Sequence, residues 1–141
     1  MKRLFFILLC LFLCCSCASK PKEPAQVLTI GKADFEHKME QKDTFVFLVT
    51  RTQCEYCQEL LKMIDYTKED YSLKIYHLEM RDDTVEHFNE DLDFLEGYLE
   101  RPDQTPHYYY IEEGEVVAQQ MGYTSLNPDR FWEWAESIGI E

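Results

Sequence analysis

The chain has 141 residues, with 27 acidic and 14 basic side chains, 45% apolar residues and 14% aromatic ones. That length holds one compact domain, and the apolar content is enough for a real core, which argues against wholesale disorder. A formal charge of −13 argues against binding a run of nucleic-acid phosphates and against polybasic attachment to anionic lipid. The six cysteines are placed unevenly: Cys10, Cys14, Cys15 and Cys17 lie in the first 17 residues, and only Cys54 and Cys57 lie beyond.

Lys2 and Arg3 precede a 12-residue apolar run from Leu4 to Cys15, followed by the small residues Ser16, Cys17, Ala18 and Ser19. This is the pattern of a secretory signal, and it is short of the roughly 20 apolar residues that a spanning helix needs. No Ala-x-Ala-like exit is clear. The segment resembles a bacterial lipoprotein signal. The resemblance implies cleavage of residues 1–16, with Cys17 as the new N-terminus and the lipid on its sulfur. Cys14 and Cys15 depart from the family pattern, which has an aliphatic and a small residue there. Cys15 is a second candidate acceptor, and an uncleaved anchor or ordinary secretion are the alternatives. Cys10, Cys14 and Cys15 read as apolar filler. Cleavage removes Lys2 and Arg3 and no acid, so −13 becomes −15. Residues 17–26 read as a polar tether and 27–141 as a single domain.

Within that domain, Val27–Ile30 is a candidate edge strand, and Ala33–Lys42, with Phe35 and Met39 four apart, a weak first helix. Thr44–Thr50 is β-branched, aromatic and apolar on both faces, as befits a central strand covered by helices on both sides. Glu55–Thr67 is helical, with Cys57, Leu60, Leu61 and Ile64 on one stripe. Leu73–Met80 is a strand. Thr84–Glu100 carries a stripe of Val85, Phe88, Leu92, Leu95 and Leu99, as one long helix or two short ones. Arg101–Pro106 is a loop, and His107–Ile111 and Glu115–Gln120 form a hairpin about Glu112-Glu113-Gly114. In the last helix, Asn127 is the expected N-cap, Pro128 takes the first helical position, and Gly139 stops it. Phe131, Trp134, Ala135 and Ile138 make its buried stripe, leaving Trp132 half-exposed. The order β-α-β-α-β-α-β-β-α defines an α/β fold, a central mixed sheet flanked by helices.

Cys54-Glu55-Tyr56-Cys57 falls where the central strand hands over to a helix. A C-x-x-C motif there points to a redox dithiol. The free amides and positive dipole of the helix start favour a thiolate at Cys54, lowering its pKa from about 8.5. Cys57 begins the apolar stripe, so Cys54 is the expected nucleophile and Cys57 the resolving thiol. Arg51 lies close enough in sequence to favour a thiolate, although a solvated loop arginine is the simpler reading. Glu55 opposes ionisation of Cys54 and leans the couple towards reduction or moderate-potential exchange; it also complements the helix dipole.

Over nearly its whole length the domain resembles the thioredoxin-fold family. In that family a dithiol opens the second helix, a cis-proline loop before the hairpin lies beside it, and a glycine after the last strand borders the same groove. The matching positions are Cys54 and Cys57, Thr105-Pro106, and Gly122. The resemblance implies that the Thr105 backbone pairs with an extended substrate near Cys54. Two positions depart from the thioredoxins proper. Gln53, at the rim of the groove, replaces a tryptophan, and Leu48 replaces a buried carboxylate that helps deprotonate the resolving cysteine.

Zinc is the competing chemistry for the motif, but a closed site needs four ligands, and His37, His77, His87 and His107 form no H-x₃₋₅-H pair. No metal and no cofactor beyond the redox-active disulfide are expected. His107, next to Pro106, is a minor groove candidate. Tyr108, Tyr109 and Tyr110 read as strand packing and the acidic excess as a solvated surface. The first functional expectation is an extracytoplasmic, lipid-tethered thiol–disulfide oxidoreductase acting on exported cysteine-containing proteins and reset by a redox partner. Small thioredoxin-like accessory proteins of bacteriocin export are similar in size and motif. The second is a non-catalytic thioredoxin-like lipoprotein that binds a partner protein. A disulfide closing so small a loop restricts the unfolded chain little, which favours catalysis.

Overall fold

In the computed structural model, residues 23–140 are described; the signal and Cys17 expectations lie outside the described residues. The sheet is organised around β2 (Phe45–Arg51), whose residues alternate between two helical layers. It pairs parallel with β3 (Lys74–Met80) and antiparallel with β4 (His107–Glu112). The edges are β1 (Gln26–Thr29), parallel to β3, and β5 (Glu115–Met121), antiparallel to β4, giving the order β1-β3-β2-β4-β5. Pairing begins one residue before the expected edge strand, and Ala25 is already buried, its N–H bonded to the Lys68 carbonyl.

Phe45, Phe47 and Val49 of β2 pack with α1 (Lys32–Glu40) and α3 (Val85–Glu96) on one face. Val46 and Leu48 pack with α2 (Glu55–Thr67) and α4 (Arg130–Ser137) on the other. Burial on both sides is why Phe45–Val49 of β2 is an unbroken apolar run. A short 3₁₀ turn (Lys68–Asp70) follows α2. The β4–β5 hairpin turns through Glu113 (φ 51°) and Gly114 (φ 78°), both in the left-handed region that a two-residue hairpin turn requires. A Cβ on Gly114 would sit 2.8 Å from the Met39 carbonyl oxygen, so glycine is needed there on steric grounds too.

Three expectations are corrected. α3 is a single helix, one of the two alternatives, but it ends at Glu96, and its expected stripe holds except at one end: Phe88, Leu92, Leu95 and Leu99 are buried or half-buried, Val85 is exposed, and Asp91 is buried in addition. Asp91 is drawn inward because Lys32 and Arg81 pair with it, Arg81 through Nη2 at 2.7 Å and its backbone N–H at 2.8 Å. Burial alone would raise the Asp91 pKa; these hydrogen bonds outweigh it and hold the carboxyl well below the usual range. Trp132 is buried alongside Trp134, because Tyr71 stacks on its ring at 3.9 Å and Thr67 Oγ1 accepts its Nε1–H at 2.8 Å. Asn127 does not cap α4. Its amide donates to Glu133, its carbonyl accepts from Arg130, and the helix starts at Arg130. The far end stops as expected, with the Gly139 and Ile140 N–H groups closing onto the Glu136 and Ala135 carbonyls.

Candidate functional site

After Arg51, the last residue of β2, a tight turn (Cys54 N–H to Arg51 O, 3.2 Å) brings Cys54 to the N-cap of α2. There its Sγ accepts the Cys57 N–H at 3.2 Å, the part an oxygen side chain plays at most helix starts. The free amides and the positive end of the helix dipole converge on this sulfur and stabilise negative charge on it. Cys54 and Cys57 are joined in a disulfide with Cα atoms 5.2 Å apart. Cys57 is fully buried, whereas Cys54 keeps 8% exposure.

The loop before β4 closes on the same sulfur. The Thr105–Pro106 peptide is cis. The Thr105 carbonyl oxygen lies 3.7 Å from Cys54 Sγ, and the Thr105 hydroxyl donates to Sγ at 3.6 Å. Gly122, just past β5, donates its N–H to the Pro106 carbonyl at 2.7 Å and has φ 86°, a conformation that favours glycine. The fold thus brings Cys54, Cys57, Thr105, Pro106 and Gly122 together. Gln53 stands at the rim with its side chain exposed, its backbone N–H held by the Asp82 carboxylate at 3.2 Å to each oxygen.

Arg51 departs from the solvated reading. It is half-buried, its Nε–H donates to Thr105 Oγ1 at 3.1 Å, and its guanidinium lies 5.8 Å from the Phe88 ring centroid. The available signal was a lone basic residue closing an apolar strand three positions before the dithiol. His107 does not line the groove: it is fully buried, hydrogen-bonded through Nδ1 to the Arg101 carbonyl at 3.1 Å and stacked on Tyr109.

His77 was legible only as a strand residue. It pairs in register with the fully buried Leu48, and its ring nitrogens meet Thr50 Oγ1 at 2.7 Å and Thr29 Oγ1 at 3.2 Å. Burial pushes its pKa from 6.5 down to about 4. Because the folded value is depressed, the unfolded chain binds the extra proton between those limits. The contribution to stability is therefore complete above pH 6.5 and is lost as pH falls to 4, by about 3 kcal/mol. Urea unfolding of the wild type and His77→Leu at pH 7 and pH 4.5 checks this. The wild type should lose more stability on acidification than the variant; equal losses would contradict it.

A cleft of about 330 Å³ between α4 and the segment after the 3₁₀ turn, lined by Tyr71, Leu73, Trp132 and Ile140, contains none of the dithiol residues. Among the described residues no helix is long and apolar enough to cross a membrane, and no group of three or more His, Cys, Asp or Glu is arranged to hold a metal ion.

No family model and no curated protein matches the chain. Among solved structures it is similar to thioredoxin F from spinach chloroplast (17% identity, covering 81% of this chain and 94% of that one, TM-score 0.55). It is also similar to thioredoxin O2 from Arabidopsis thaliana in the oxidized state (14%, 79% and 93%, 0.54). A third likeness is thioredoxin from Trypanosoma brucei brucei (13%, 86% and 95%, 0.55). At these identities the likeness shows architecture. The chain has the thioredoxin fold, an α/β fold built on a mixed five-stranded sheet flanked by helices. Within that fold, a Cys54–Cys57 disulfide stands at the start of α2.

Proposed function

We propose that the protein is a thiol–disulfide oxidoreductase that uses the Cys54/Cys57 dithiol on disulfides of exported proteins. In this reading it is tethered by lipid on Cys17 at the extracytoplasmic face of a bacterial membrane. The observation that carries the chemistry is the placement of Cys54: a residue that keeps 8% exposure at a helix N-cap, beside the Thr105–Pro106 loop and linked to a fully buried Cys57. The solved structures with this fold are named thioredoxins, which agrees with that reading.

In the reducing direction, the Cys54 thiolate attacks one sulfur of a client disulfide. A mixed disulfide forms, and the other client sulfur leaves as a thiolate that takes a proton from water. Cys57 attacks Cys54 Sγ, its proton passing to the departing client sulfur. The Cys54–Cys57 bond forms, and the second client sulfur departs and is protonated. Two electrons have passed to the client, and a partner protein bearing a dithiol returns them by the same exchange. The reverse sequence oxidises a client dithiol. The dithiol is the only redox group this reaction needs. The acidic surface, −15 after loss of residues 1–16, favours neutral or basic clients.

The test of the chemistry is turnover of an insulin disulfide by the reduced protein. Wild type should reduce it catalytically. Absence of turnover would support the non-catalytic reading, in which the same groove only binds a partner. The tether rests on Lys2, Arg3, the apolar run from Leu4 to Cys15, and Ser16-Cys17. Labelled palmitate should enter the full-length protein expressed in bacteria and be lost in Cys17→Ala. Undiminished labelling of the variant would contradict the assignment.

A further inference from the structure

The structure connects a fixed positive charge to the attacking sulfur through one hydroxyl. Arg51 Nε–H donates to Thr105 Oγ1 at 3.1 Å, and Thr105 Oγ1 donates to Cys54 Sγ at 3.6 Å. A threonine hydroxyl has one proton and two acceptor lone pairs. Arginine has no acceptor, so the contact with Arg51 occupies a lone pair and leaves the hydroxyl proton free to point at sulfur. Packing against Phe88 and half-burial hold the guanidinium in place. The hydroxyl is thereby polarised from behind, and its bond to Sγ strengthens when the sulfur becomes a thiolate.

Arg81, next after β3 at this end of the sheet, is taken up by Glu90 and Asp91, and the charged groups on or bonded to the Thr52–Glu55 segment are acidic. Glu55 follows Cys54 in the first turn of α2. Glu79 accepts from the Thr52 hydroxyl, and Asp82 from the Gln53 N–H. Each disfavours a second negative charge at Cys54. Arg51 is the basic group hydrogen-bonded towards it.

We propose that Arg51 is a positioning residue that acts through Thr105, orienting the Thr105 hydroxyl to hold reduced Cys54 as a thiolate against its acidic surroundings. The inference rests on the exchange reading, because it assigns the two residues that tune the nucleophile of that reaction. In the attack step it raises the thiolate fraction of Cys54. In the resolving step, when Cys57 attacks Cys54 Sγ and the client sulfur leaves, the relay has no charge to stabilise on Cys54. Its effect is therefore specific to the reduced, free thiolate.

The experiment reads thiolate formation directly and needs no client. In a Cys57→Ser background, the pH dependence of Cys54 alkylation by iodoacetamide is measured with Arg51 and Thr105 intact and in Arg51→Gln, Thr105→Val, Thr105→Ser and the Arg51→Gln/Thr105→Val double variant. Arg51→Gln and Thr105→Val should each slow alkylation at pH 6 roughly tenfold and move the midpoint up by about one pH unit. Thr105→Ser should keep the parent profile, and the double variant should match the single variants. An unmoved midpoint in Arg51→Gln would overturn the proposal. So would a full effect of Arg51→Gln in the Thr105→Val background, since the charge would then act without the hydroxyl. Insulin turnover by wild type separates the two claims: a shifted midpoint without turnover keeps the relay and rejects the exchange reading, whereas turnover with an unmoved midpoint does the opposite.

Discussion

Cys57→Ser is expected to accumulate mixed disulfides with client proteins through Cys54, while Cys54→Ser accumulates none. The asymmetry follows from burial and geometry. Cys54 is the less buried of the two, with 8% exposure, and its Sγ sits at the N-cap of α2 in contact with the Thr105 hydroxyl. Cys57 is fully buried on the first turn of the same helix, within reach of Cys54 and shielded from an external disulfide. Removing Cys57 leaves attack intact and removes the group that resolves the intermediate, so the adduct persists. Removing Cys54 removes the nucleophile. Both variants should lose insulin reduction by at least about 10³-fold, as expected when a covalent step is deleted. Non-reducing gels of each variant, with mass spectrometry of the adduct, provide the measurement. Trapping through Cys57 in Cys54→Ser, or a clean gel for Cys57→Ser, would reverse or remove the assigned roles.

Phe35→Ala is expected to destabilise the protein by about 3–5 kcal/mol, the range for truncating a buried phenylalanine. Phe35 is fully buried and stacks on Phe47 with ring centroids 4.3 Å apart. Phe45, Phe94 and Tyr98 meet it edge-on, Tyr98 at 5.4 Å. The surrounding rings come from β2, α3 and the turn that follows α3, which hold them in place, so the site relaxes poorly and most of the cavity cost remains. A typical domain has only about 5–15 kcal/mol in total, so the variant should be close to unfolding. Denaturant unfolding monitored by circular dichroism checks it, with Phe35→Leu expected to lose less. A loss below about 1 kcal/mol in Phe35→Ala would show that α1 does not depend on this contact.

These two effects mark what the sequence makes legible. Cys54 and Cys57 are readable because a motif coincides with a strand-to-helix handover, and the β2 run and the α2 stripe each report their own burial. Phe35 is visible only as half of a weak pair with Met39, since α1 has one fully buried residue and its partners come from elsewhere in the chain. The same reason hides the burial of Asp91 on α3, where a carboxylate takes an inward position because Lys32 and Arg81 converge on it. It hides Trp132, whose flank is covered by Thr67 at the end of α2 and Tyr71 beyond it. Periodicity records which face of an element is apolar; it carries no information about a neighbour that arrives from 60 residues away. Arg51 belongs to this group too. Its meaning depends on Thr105, 54 positions further on, and sequence proximity to Cys54 suggests a direct contact where the structure has hydrogen bonds through Thr105.

In the proposed exchange, Glu55 and Arg51 act on the dithiol in opposite senses, one disfavouring and the other favouring a Cys54 thiolate. Their balance, together with the helix start, sets how readily the couple gives up electrons. The most direct test of the central claim is therefore the reduction potential of the Cys54–Cys57 couple, taken from equilibria with glutathione and dithiothreitol buffers. An exchanging dithiol should equilibrate and show a potential above about −300 mV. A potential below about −300 mV, the range of inert structural disulfides, with no insulin turnover, would contradict it.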